Sequence, residues 1–206
     1  MKYYLYSFAL LSVPFFTSAQ TTYPNKSESF RLSLGASNNG SGDIKGIAME
    51  AAYVIPLARG LDLSTGFGTT IHFATETGYY DGYSNNGLHF VVAGLQLTPE
   101  LQYAVLSFPR HSLQLIGGGL LRFQSTSMPE IYSLYPPSSS NPYPTYVIND
   151  FGKQNTFSAG YRAGLAYMFS VSSKWDTGIK AVLQNDTRGD VITQVSLVVG
   201  KRVAKN

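Results

Sequence analysis

From residue 29 onward the chain alternates apolar and polar positions with a period of two, the mark of strands whose two faces meet different surroundings. Residues 156–170, TFSAGYRAGLAYMFS, show it plainly. Phe157, Ala159, Tyr161, Ala163, Leu165, Tyr167 and Phe169 form one face; Ser158, Gly160, Arg162, Gly164, Ala166 and Met168 form the other. The pattern recurs at 30–37, 47–55, 61–73, 95–105, 112–125, 173–184 and 190–203, which predicts eight strands and no helix. Residues 88–94 (LHFVVAG) read as a continuation of the fourth strand. Pro99 lacks a ladder donor and is expected at a bulge or strand end. The fifth segment, LQLIGGGLLRFQ, has glycine on both faces, so its outward side is open.

The connections alternate in length. Residues 57–60, 107–111 and 171–173 are tight turns; 38–45, 75–87, 126–154 and 185–189 read as longer loops rich in Asn, Gly, Ser, Tyr and Pro. Short turns at one end and long loops at the other are the layout of an antiparallel up-and-down transmembrane β-barrel, with both termini on the periplasmic, short-turn side. The apolar rows agree with this. Phe30, Tyr53, Tyr103, Tyr167, Phe169 and Trp175 fall near the short-turn ends, and Phe73, Phe123 and Phe157 near the long-loop ends. Two aromatic belts then flank a band of Leu, Val, Ile and Ala, as membrane interfaces require.

Composition sharpens the picture. Of 206 residues only 13% are charged, about half the share usual in soluble domains. Cysteine is absent, which excludes disulfides, thiolate metal sites, cysteine nucleophiles and a lipidated-cysteine anchor. The net charge of +3 is scattered, with no basic run of the kind nucleic acid needs. Lys2, the apolar run Tyr3 to Phe16 and the small residues Thr17-Ser18-Ala19 predict a signal peptide over 1–19, cut before Gln20. Residues 20–28 then form a periplasmic lead-in, 29–203 the barrel and 204–206 a tail.

The polar rows would line the lumen. They carry Arg31, Glu50, Asp62, Glu100, Arg162, Asp176, Lys180 and Arg202, with Arg122 if the fifth strand faces accordingly. Isolated charges there are costly, so a cross-barrel ion-pair network is expected. Eight strands leave a lumen just filled by side chains, which makes these charges structural; a narrow ion path is the alternative.

The SAQ cleavage site, the eight alternating strands and the closing strand VSLVVGKRV resemble the small outer-membrane β-barrel proteins of Bacteroidota, the PorT-like family. The resemblance implies a Gram-negative cell outer membrane, insertion by the barrel-assembly machinery, and a surface, structural or secretion-associated role without an agreed activity. Barrels of this kind usually end in an aromatic residue; here the matching position is Val203, followed by Ala204-Lys205-Asn206.

Candidate chemistry is sparse. The loop GYSNNGL is similar to the histidine-serine motif of outer-membrane lipid A deacylases at Ser84 and Asn85, but Gly82 stands where the general base belongs, and without a base the serine is not activated. A turn is the better account. His72, His89 and Asp81 could meet at the outer rim around a metal, yet their spacing fits no ligand motif. Asp81, Asp150 and His89 are not spaced like a rim protease. Arg188-Gly189-Asp190 reads as RGD on an external hairpin, where a glycine-centred tight turn explains it. The reading is therefore non-enzymatic, monomeric, and free of cofactor and metal.

The segment 126–154 places Tyr132, Tyr135, Tyr143 and Tyr146 among five prolines; with Tyr79, Tyr80 and Tyr83 they are candidates for contact with an external glycan or protein. The alternative is that the rings pack on one another over the mouth. A soluble lipocalin-like barrel would share the strand count but turn the apolar rows inward, so the direction of those rows discriminates the two.

Overall fold

A computed structural model describes residues 27–40, 44–80, 83–136, 138–140 and 145–203, with side chains left undescribed at 76–80, 83–89, 128–132, 134, 145–149 and 151. The expected signal peptide, most of the lead-in, the tail, Asp81, Gly82 and Tyr143 lie outside these residues. Eight strands form one closed antiparallel barrel in chain order: β1 (Ser29–Asn39), β2 (Ile44–Ala58), β3 (Leu61–Tyr80), β4 (Tyr83–Ser107), β5 (His111–Tyr135), β6 (Thr145–Ser170), β7 (Trp175–Asp186) and β8 (Val191–Arg202). β1 closes on β8 from Ser29↔Arg202 to Asn39↔Ile192, so no edge remains through the crossing region.

The apolar rows point outward. Leu165 is 48% and Leu197 68% exposed, whereas Arg162 is 2% and Lys180 8%. A lipocalin-like barrel is ruled out by that direction. Phe30, Tyr53, Tyr103, Tyr167 and Trp175 stand exposed at the short-turn end, and Phe73, Phe123 and Phe157 at the other. The fifth strand follows the same rule: Leu115, Leu121 and Phe123 face out, while Gln114, Ile116, Leu120 and Arg122 face in.

Tight turns close the short-turn side. Gly60 takes φ +77°, a conformation cheap only for glycine, and β2 passes to β3 with just Arg59 and Gly60 between them. Pro99 differs from expectation. It sits inside β4, paired with Thr65 of β3, and the β4–β5 ladder is interrupted between Leu97↔Leu121 and Glu100↔Gly118 without a change of register. The missing N–H is thus tolerated within the strand, and the register shifts fall elsewhere, at Pro56/Ala58 and Ala104/Leu106 toward the short-turn end and at Glu76/Thr77, Pro129/Ile131 and Ile131/Tyr132 toward the other.

The segments read as long loops are the main correction. Residues 75–87 are mostly strand: β3 runs on to Tyr80 and β4 begins at Tyr83. Within 126–154, β5 continues to Tyr135 and β6 begins at Thr145. Period-two alternation ends where lipid ends, because both faces then meet water, but backbone pairing continues.

Candidate functional site

Two features stand out: the lumen network and a raised rim. In the lumen, alternating inward positions of every strand converge on a space too narrow for many long side chains. Glycine makes the room. A Cβ at Gly66 would meet Thr98 Oγ1 at 2.5 Å and Glu50 Cδ at 3.0 Å, and one at Gly118 would meet the Pro99 carbonyl oxygen at 2.3 Å.

At mid-height, four strands contribute one charge each. Arg162 of β6 pairs with Glu50 of β2 at 2.6 Å and with Glu100 of β4 at 2.9 Å. Lys180 of β7 pairs with the same two carboxylates at 2.8 and 3.1 Å. Two cations and two anions form a cyclic quartet across the axis. Thr98 donates to Glu50, Gln102 donates to Glu100, and Arg162 donates to Gln194, so the quartet is bonded to its surroundings.

Near the short-turn end, Arg202 clasps Asp176 through Nη2 at 2.6 Å and Nε at 3.1 Å, while Ser170 accepts from Arg202 at 2.6 Å. Arg31 donates to Gln102 at 2.7 Å, which links this tier to the quartet through Glu100. Asp62 is buried at the same end. Near the other end, Arg122 pairs with Asp186 at 3.1 Å and Asp190 at 3.2 Å, and Ser158 donates to Asp186 at 2.8 Å. All nine charged residues expected in the lumen thus lie on inward positions, in three tiers.

Asp186 and Asp190 were not expected there. They lie in a stretch that reads as turn, NDTRGD, and Asp186 does serve that turn by accepting from the Arg188 and Asp190 backbone N–H groups. The available signal was parity: Gln184 is inward, so Asp186 two residues on must be inward as well. Asp190 of the RGD tripeptide is held by Arg122, and Gly189 takes φ +81° in the turn.

His72 also points into the lumen, fully buried, with Nε2 2.9 Å from the Ser37 hydroxyl. That removes it from any rim metal site. No cluster of three or more potential metal ligands occurs among the described residues. The side chains of His89, Ser84 and Asn85 are outside the described set.

The rim is uneven. β1, β7 and β8 span 11, 12 and 12 residues, close to the length needed to cross a bilayer, whereas β4, β5 and β6 span 25, 25 and 26. β3 pairs with β2 only as far as Phe73, β4 with β5 only as far as Val91, and β6 with β7 only from Gly160. Beyond those levels β3–β4 and β5–β6 continue as two-stranded ribbons, to Tyr80↔Tyr83 and Tyr135↔Thr145. Tyr79, Tyr80 and Tyr83 lie on the first ribbon, and Tyr132, Tyr135 and Tyr146 on the second. The Tyr135 side chain is exposed.

No family model matches the chain, and no curated protein matches it. Solved structures do. The crystal structure of Ail, the attachment invasion locus protein of Yersinia pestis, superposes with a TM-score of 0.52 at 12% identity, over 86% of this chain and 99% of that one. Neisserial surface protein A gives 0.49 at 9% identity, over 85% and 97%. The N-terminal β-barrel domain of Pseudomonas aeruginosa OprF gives 0.43 at 12%, over 85% and 98%. The likeness to Ail is one of fold. Together with the lipid-facing apolar band, it makes this chain an outer-membrane β-barrel.

Proposed function

We propose that the chain is a non-enzymatic, monomeric surface barrel of the outer membrane, a closed platform that holds two tyrosine-bearing β-ribbons outside the cell to contact a glycan or a protein. The observation that carries this reading is the uneven rim. Half the barrel ends where crossing the bilayer requires, while β3–β6 continue in paired ribbons that add nothing to closure. Isolated two-stranded ribbons are marginal in water, so strand length of this kind is retained for contact rather than for stability. Tyrosine suits that contact, since its ring adds area and its hydroxyl a hydrogen bond.

The network Arg31, Glu50, Asp62, Glu100, Arg122, Arg162, Asp176, Lys180 and Arg202 acts as a structural plug in this proposal. The quartet crosses the axis, which supports a closed lumen over an ion path; steady single-channel steps in a planar bilayer would defeat that part. The relationship to PorT-like barrels of Bacteroidota and insertion by the assembly machinery belong to the proposal too, resting on the closing strand VSLVVGKRV.

The test is capture from an extracellular glycan array and a surface-protein extract by the intact barrel and by one lacking 128–152, with Ser127 joined to Lys153 through a short turn. Binding to the intact protein alone is expected. Equal capture by both, or by neither, overturns the contact role.

A further inference from the structure

The outer wall is not evenly convex. One cross-strand row places Ala51 between Leu32 and Phe67, and the next places Met49 and Thr69 between Leu34 and Leu95. With Leu197 and Val199 of β8 these residues border an apolar concavity of ≈ 600 Å³. The small side chain of Ala51, with a large neighbour on each side, supplies its depth.

One pleat toward the short-turn end, register sets Trp175, Lys201, Phe30 and Tyr53 side by side on the same outward face. The Lys201 ammonium lies 5.8 Å from the Trp175 ring centre. Glu28, just before β1, accepts a hydrogen bond from the Tyr53 hydroxyl, and its carbonyl accepts from the Val203 N–H at 2.7 Å. Glu28 and Lys201 are therefore diagonal neighbours across the β1–β8 seam, with Cα atoms roughly 7–8 Å apart. They are not ion-paired to each other among the described residues. A cation and an anion, set apart at the interface above a groove that leads into the apolar band, complement a zwitterion with a tail.

We infer a binding site for a phospholipid of the periplasmic leaflet whose headgroup carries a primary ammonium. The phosphate sits on Lys201, the ammonium donates to Glu28, the glycerol lies over Phe30, and one acyl chain follows Leu32 and Val199 into the groove over Ala51. A quaternary ammonium has no N–H to give Glu28, and an anionic headgroup meets its charge unfavourably, so the site discriminates among lipids. This inference concerns the face and end away from the ribbons and stands apart from their contact role.

The chain holds one tryptophan, Trp175 beside Lys201, which reports on the site. Bilayers of chain-brominated phosphatidylcholine quench it, and an unbrominated competitor restores fluorescence in proportion to its preference for the site. Phosphatidylethanolamine is expected to compete about fivefold better than unbrominated phosphatidylcholine, the size of one net hydrogen bond. Glu28→Gln should bring that ratio to about one, while Lys201→Gln and the groove-filling Ala51→Phe weaken the preferred lipid, with heat-modifiable gel mobility confirming folded barrels. A wild-type ratio of one, a ratio unchanged in both Glu28→Gln and Lys201→Gln, or phosphatidylglycerol competing equally well would overturn the site. So would an efficient disulfide dimer of Ala51→Cys in bilayers, which would give the groove to a second copy.

Discussion

The lower barrel and the raised ribbons are built from the same strands under different rules. Below Phe73, Val91 and Phe157 each strand has lipid on one side and a crowded polar lumen on the other, so each position is constrained by face. Above those levels the same strands have water on both sides. Alternation fades, yet pairing persists, from Thr75↔His89 to Tyr80↔Tyr83 and from Ser127↔Lys153 to Tyr135↔Thr145. A period of two therefore records a difference in solvent between two faces, not the presence of a strand. Substitutions should cost much below the boundary and little above it.

The sharpest break of that contrast is in the quartet. Arg162→Met leaves Glu50 and Glu100 facing Lys180 alone, one buried negative charge in excess. Removing one partner of a buried pair costs about 3–5 kcal/mol. Urea unfolding of the barrel in lipid vesicles, followed by gel mobility, should show a loss of that order. A loss under about 1 kcal/mol would mean that water reaches the quartet freely and that the lumen is not closed there.

On the lipid side, Ala163 stands on β6 between the belts marked by Phe157 and Tyr167, next to Leu183 of β7. Ala163→Arg puts a guanidinium near mid-membrane, worth about 2–4 kcal/mol, falling toward zero nearer the interface. The same assay on Gln154→Arg, on the ribbon portion of β6, should show no change. A similar cost at both would remove the boundary drawn here.

Two neighbouring glycines on β5 refine it further. A Cβ on Gly118 would lie 2.3 Å from the Pro99 carbonyl oxygen and 2.7 Å from Glu100 Cα, both backbone, while one on Gly117 meets nothing within 4 Å. Gly118→Ala should cost about 1–3 kcal/mol. Gly117→Ala, facing lipid, should be neutral or slightly stabilising through the unfolded chain.

The same division explains what the sequence could tell. Strand number, the outward rows, the belts and the inward position of the charges all follow from parity, and parity holds wherever the faces differ. On the glycine-rich fifth strand parity left the outward side open, because glycine stands on both faces; the structure buries Arg122 and exposes its neighbours Leu121 and Phe123. Parity also falters at the ends. Asp186 and Asp190 look like turn residues because they also make the turn, and only continued parity from Gln184 shows that Asp186 faces Arg122. His72 has inward parity, so a rim role for it conflicted with its own strand. The ribbons were read as loops because Tyr, Thr, Ser and Asn are equally at home in both, and nothing local separates a wet strand from a loop. The pairing of Glu28 with Tyr53 lay in a stretch with no pattern at all.

The smallest effect is expected where most backbone is removed. Excising 128–152 and joining Ser127 to Lys153 deletes the upper β5–β6 ribbon but no lumen charge, no residue of the β6–β7 ladder, which begins at Gly160, and no belt aromatic. The β4–β5 ladder already ends at Val91↔Ser127, so it loses nothing either. Because Ser127 and Lys153 are paired neighbours, a short turn can replace the ribbon without strain, and the shorter loop slightly favours closure. Stability should stay within about 0.5 kcal/mol of the intact barrel, as for changes away from buried features. A loss approaching that of Arg162→Met would show that the ribbon folds over and braces the mouth. Its tyrosines would then be packing residues, and the division between a load carried below and contact made above would have to be redrawn.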